Sequence, residues 1–146
     1  MAIFAQNKMR QIMAEAGKHP RWMERLAVYG NALERLTVVV NLSKKQKLNE
    51  FERDSLIKRF EFAYEMGWKL MMSFEKENGI TGMLGSKDVI RHAVALGVIE
   101  NGEAWMDMID ARNQTSHVYD EDTALSTLPT ASYTHFILCC WHCKKR

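Results

Sequence analysis

Residues 48–79 read LNEFERDSLIKRFEFAYEMGWKLMMSFEKENG, and their periodicity decides the fold. Leu56, Phe60, Ala63, Gly67, Leu70 and Phe74 recur at steps of 4, 3, 4, 3 and 4, the spacing of one face of an α-helix. A second stripe of Ile57, Tyr64, Trp68 and Met71 flanks it, and Phe62, Met66 and Met72 lie elsewhere on the cylinder. The pattern predicts a helix from about Leu48 to Asn78, stopped by Gly79. A helix this apolar around its girth is either central in its fold or buried twice, once in a core and once in an interface. A small four-helix domain offers no obvious centre, so the second option is the expectation.

Working outward, Trp22, Leu26, Tyr29, Leu33, Leu36 and Val40 repeat the same steps and predict a helix of about 20 residues before it. Asn41, Leu42, Ser43 and the basic Lys44, Lys45 and Lys47 end that helix. On the other side, Gly79, Gly82 and Gly85 mark a loop. Ser86 is the expected N-cap of a short helix, Asp88 falls in its first turn, and Gly97 stops it. A turn at Asn101 and Gly102 leads to a fourth helix, Glu103 to about Ser116. Asp120 to Asp122 can cap a fifth, which Pro129 breaks or kinks unless it sits in a first turn. No segment alternates as a strand would, and Val38–Val40 continues a helical stripe. The fold class is therefore all-α, an up-and-down antiparallel bundle of four to five helices that dimerises. The expected division is an N-terminal extension over 1–20, the bundle over 21–125 and an atypical C-terminal helix or tail over 126–146.

Composition agrees. With 146 residues, 47% hydrophobic, 26% charged and two prolines, the chain is globular and of one-domain size, which excludes disorder and fibre. No run of 18 apolar residues is present to span a membrane, and Met1 to Gln6 is too briefly apolar for a secretory signal. Cytoplasm is the expected compartment. The net charge of +2 conceals a polarity: residues 1–20 carry +2 and Lys144, Lys145 and Arg146 add +3, so residues 21–143 are near −3. Such a body grips nucleic acid poorly as a whole, so any nucleic-acid chemistry needs a local site. Cys139, Cys140 and Cys143 cluster at the end and cannot staple the fold, and no second ligand pair accompanies their CxxC spacing. No metal site is expected.

The segment Arg112-Asn113-Gln114-Thr115-Ser116-His117-Val118-Tyr119-Asp120-Glu121 carries the candidate chemistry. At about 100° per residue, Trp105, Met108, Ile109, Arg112, Ser116 and Tyr119 share one side of the fourth helix. That puts Arg112 on the apolar side, where a guanidinium needs an anion or many acceptors. His117 points about 140° away on an unbroken helix. Either the chain curls back after Arg112, or two copies pool their residues around one phosphate. A helix cap and dipole partner, with Asp110, Asp120 or Glu121 pairing the arginine, is the plain structural alternative.

Arg112 to Tyr119 resembles the Arg-x4-His-x-Tyr motif of the HEPN superfamily, small all-helical proteins often encoded beside a minimal nucleotidyltransferase (MNT). Arg21-Trp22-Met23-Glu24-Arg25-Leu26, Leu56-Ile57-Lys58-Arg59-Phe60-Glu61-Phe62, Trp68-Lys69, Lys87-Asp88-Val89-Ile90-Arg91 and Trp105 through Asn113 are similar to the branch of nucleotidyltransferase substrate-binding proteins. The likeness covers about residues 21–125. It implies a homodimer whose arginines and histidines meet in a shared cleft that takes RNA or a nucleotide. It also implies a metal-independent ribonuclease acting as the toxin of a two-gene toxin–antitoxin pair. His117 is then the acid/base on the ribose 2′-OH or the leaving oxygen, and Arg112 holds the phosphate. Asn113 supports the pair; Arg59 and Glu61 either line the same cleft or belong to a solvated helix face. Tyr119 is the residue that accepts AMP from the partner, unless it only packs. Trp68 and Trp105 are packing residues.

The chain is not itself expected to be the nucleotidyltransferase. Gly85-Ser86 and Asp120-Glu121-Asp122 stand 34 residues apart with no strand context, and no cofactor is implied for this chain. The partner brings metal and nucleotide. The alternative function is a noncatalytic subunit that binds a substrate or nucleotide for that partner. The sequence departs from the family pattern after the Asp-Glu pair, where Pro129 interrupts and a cysteine-rich end follows. Residues 1–20 lie outside the likeness.

Overall fold

The computed structural model describes residues 20–115, which form four helices: α1 (Arg21–Ser43), α2 (Glu50–Glu77), α3 (Ser86–Ala95) and α4 (Gly102–Thr115). No strand occurs among the described residues, and no helix there is long and apolar enough to cross a membrane. The expected extension over 1–20, apart from Pro20, lies outside the described residues, as do the fifth helix, Pro129 and the cysteine-rich end.

Local chemistry accounts for the helix ends. Asn49 caps α2: its side chain accepts from the Glu52 amide at 2.9 Å, while Glu52 Oε2 accepts from the Asn49 amide at 2.8 Å. This reciprocal box satisfies two amides that the first turn leaves without helical partners. After α2, Gly79 adopts φ 83, a left-handed turn that an L side chain disfavours. Gly85, rather than Ser86, holds the cap position of α3, in extended backbone with φ −179; Ser86 is already the first helical residue. No side chain caps its first amides; Asp88 Oδ2 instead accepts from the Leu84 amide at 3.2 Å and ties the incoming loop to the first turn. Asn101 Oδ1 accepts from the Ala104 amide at 3.0 Å and starts α4.

α1 and α2 are antiparallel. The Arg21 amide donates to Glu77 at 3.0 Å, Trp22 meets Phe74 edge-on at 5.7 Å, and Arg25 Nη1 donates to the Lys69 carbonyl at 2.9 Å. At the other end Arg59 Nη1 donates to the Arg35 carbonyl at 2.7 Å. α3 and α4 pack on α2 as well, so α2 is the one described helix that packs against each of the other three. The described fold therefore has a centre, and α2 occupies it. Leu56, Ile57, Phe60, Ala63, Tyr64, Gly67 and Met71 are all buried there, between partners on several sides.

The crossing of α2 and α4 depends on Gly67. A Cβ there would stand 2.7 Å from Trp105 Cη2 and 3.0 Å from Tyr29 Cε2. The missing side chain lets the indole of α4 and the phenol of α1 close over the same turn of α2. Trp105 is 1% exposed, and its ring lies 6.1 Å from that of Tyr64.

Candidate functional site

The last turn of α4 carries the candidate residues. Its buried positions are Trp105, Met108, Ile109 and Ala111, whereas Arg112 and Asn113 are exposed. The expectation that Arg112 projects from the buried side is corrected here. Trp105 meets Tyr64 and Gly67, while Thr115, ten residues on, meets Glu61. Ten residues of helix span about 15 Å, more than the separation of those positions on α2. α4 therefore crosses α2 obliquely, and its buried face turns from Ile109 toward Ala111 and Thr115, leaving Arg112 at the edge.

Glu61 anchors this helix end. The Thr115 hydroxyl lies 3.0 Å from Glu61 Oε1 and 2.9 Å from the Arg112 carbonyl, so its single proton serves both acceptors. Lys58 Nζ meets the other Glu61 oxygen at 2.9 Å. Arg112 and Glu61 thus share one region. Arg59 does not join them: its bond to Arg35 directs it toward α1, on a different side of α2.

One turn beyond Glu61, Glu65 faces the same region. Partial burial works to raise its pKa, but bonds from Lys69 and Trp68 and the positive charges of Lys69 and Arg112 outweigh that, holding its carboxyl below the usual range. Trp68 Nε1 donates to Glu65 Oε2 at 3.0 Å, and Lys69 Nζ meets Oε1 at 2.8 Å. Burial pushes the adjacent Tyr64 phenol up to about 12, the nearby Glu65 charge adding to the rise and Arg112 opposing it. Trp68 is half-buried against the core and Trp105 fully buried within it, as expected of packing residues.

His117, Tyr119 and the Asp120–Asp122 triplet lie outside the described residues, as do Cys139, Cys140 and Cys143. Among the described residues no cluster of three or more His, Cys, Asp or Glu side chains could hold a metal ion. Sequence reasoning missed Glu65 and Thr115. The available signal was spacing: Glu65 stands four residues after Glu61, and Thr115 three after Arg112, each on the same helix face.

A family model described as "Nucleotidyltransferase substrate binding protein like" matches residues 24–140. A protein named "Probable ribonuclease HepT" from Haemophilus influenzae is 36% identical over 74 residues, 48% of this chain and 51% of that protein. The match therefore spans about half the length of that relative. A solved structure from Thermus thermophilus superposes with a TM-score of 0.68 at 28% identity, covering 81% of this chain and 99% of the other. The tri-AMPylated Shewanella oneidensis HEPN toxin, solved in complex with its MNT antitoxin, gives 0.63 at 15% identity over 84% of this chain and 97% of the toxin. That last likeness is one of fold. With its family matched over most of its length, the chain belongs to the nucleotidyltransferase substrate binding protein-like family.

Proposed function

We propose that this chain is the toxin-type partner of a minimal nucleotidyltransferase and a metal-independent ribonuclease, active as a homodimer. The observation that carries the reading is the position of Arg112, exposed on a helix end that Glu61 and Thr115 hold against α2, at the start of the Arg-x4-His-x-Tyr motif. Arg112 meets the scissile phosphate and offsets the charge that develops on it. His117 removes the proton of the ribose 2′-OH, or returns one to the departing 5′-oxygen. The 2′-oxygen bonds to phosphorus as the P–O5′ bond breaks, leaving a cyclic phosphate and a free 5′-hydroxyl. Asn113 supports the pair, and two copies supply the residues to one cleft.

In the resting pair, the partner transfers AMP to Tyr119. The phenol oxygen bonds to the α-phosphorus of ATP and pyrophosphate leaves. The added phosphates fill the site that RNA needs. The partner carries the metal for that step.

A second reading is favoured by the family's own description: a noncatalytic subunit that holds a substrate or nucleotide in the same cleft. Incubation with single-stranded RNA separates the two. Cleavage that persists in EDTA and drops about 100-fold or more in His117→Ala and in Arg112→Ala supports the ribonuclease. Oligonucleotide binding with no cleavage supports the binding subunit instead.

A further inference from the structure

Glu65 is a carboxylate immobilised before any ligand arrives. One oxygen takes the Trp68 indole proton at 3.0 Å, and the other takes the Lys69 ammonium at 2.8 Å. Lys69 also lies 5.8 Å from the Trp68 ring centroid, so the three side chains brace one another. All three belong to a single turn of α2 and are half-buried, with Trp68 packed against the core.

The packing register sets Arg112 across from this turn. Thr115 meets Glu61, and α4 runs back along α2 from there toward Trp105 beside Tyr64 and Gly67. Arg112 stands one turn before Thr115 on α4, and Glu65 one turn after Glu61 on α2. The two residues thus occupy neighbouring positions at the edge of an oblique, antiparallel crossing. The charge of Arg112 is felt at Tyr64 and at Glu65, the neighbouring positions that this register selects. Glu61 is engaged otherwise, by Thr115 and Lys58.

We infer that Glu65 is the positioning residue for Arg112: its carboxylate, held by Trp68 and Lys69, orients the guanidinium toward an RNA phosphate. The inference rests on the ribonuclease reading for its purpose. An exposed arginine has many rotamers, and ordering it during phosphate binding costs affinity and rate. A carboxylate that is already rigid removes part of that cost without touching the RNA.

The test uses the full chain with 15N-labelled arginine. The Nε–Hε signal of Arg112 is identified by its disappearance in Arg112→Ala. Glu65→Gln is expected to shift that signal and quicken its exchange with water; Lys69→Met, which leaves the carboxylate in place, is expected to move it the same way by less. An Arg112 signal unmoved in both variants overturns the inference. Cleavage supplies the second readout. Glu65→Gln is expected to lower kcat about 10-fold, with an unchanged unfolding midpoint, and to cost nothing further in an Arg112→Ala background. Equal losses in both backgrounds mean that Glu65 acts elsewhere and overturn it. If the wild-type chain cleaves no RNA, the ribonuclease reading fails, while the arginine signal still decides whether Glu65 orients Arg112.

Discussion

The Glu75 carboxyl is fully buried near the end of α2, and neither of its oxygens has a hydrogen-bond partner among the described residues. The imidazole of His92 on α3 stands beside it, with Nδ1 3.7 Å from Oε2. Burial raises the carboxyl from 4.5 to about 7. The folded chain therefore keeps a proton across a range where the unfolded chain has released it. Stability from this group is complete below pH 4.5, declines as the pH rises to 7, and is flat above. Glu75→Gln, which keeps the shape and cannot ionise, should gain up to about 3 kcal/mol over wild type at pH 8 and little at pH 4.5. Urea unfolding at the two pH values checks this, and an equal difference at both contradicts it. Nothing in the run Glu75-Lys76-Glu77 flags the first of these residues, because such a charged helix end ordinarily faces water. Its burial follows from α3 folding back across the turn at Gly79, which is a tertiary event.

The helices were largely legible, since a 4-3-4 apolar spacing states both the period and the buried face. Asn49, followed three residues later by Glu52, also signals its cap, and Asn49→Ala should lower stability by about 1 kcal/mol in thermal or urea unfolding. Gly67 tests the packing more sharply. On propensity alone, alanine in mid-helix gains about 1 kcal/mol over glycine. Its Cβ would meet Trp105 at 2.7 Å, and the buried indole has no room to withdraw. Overpacking of this kind costs about 1–3 kcal/mol. Gly67→Ala should therefore destabilise the protein, and an unfolding midpoint that rises instead means the crossing is looser than described. Two features were not legible at this scale. Periodicity reports how much of a helix is apolar but not which neighbours cover it, so the packing of α2 against all three other described helices was not legible. Helical angles likewise assume a straight seam, and the oblique crossing of α4 moved Ala111 inward and Arg112 outward. Arg59, for which the sequence left a cleft or a solvated face open, reaches across to the Arg35 carbonyl on α1.

For the whole molecule, the described chain still exposes Phe51, Phe62 and Val38, at 81%, 48% and 64%. The family resemblance was legible because it was spread over a hundred residues in order, and the matched family supports it. Quaternary arrangement was not, because a single sequence does not reveal whether its exposed apolar groups meet another copy. The account makes a molecular prediction for the resting pair: incubation with the partner nucleotidyltransferase, ATP and magnesium should add AMP units to the wild-type chain and far fewer to Tyr119→Phe, read by intact mass. Equal addition to both excludes Tyr119 as the acceptor. The claim beneath everything else is that the arginine of one copy serves the histidine of the other. Chains carrying Arg112→Ala and His117→Ala, each slowed about 100-fold or more alone, should be unfolded, mixed, refolded together and assayed on RNA in EDTA. The account predicts that the mixture regains cleavage, because each mixed dimer keeps one arginine and one histidine from opposite copies. A mixture that forms mixed dimers and stays silent, beside a wild-type chain that cleaves, would contradict it.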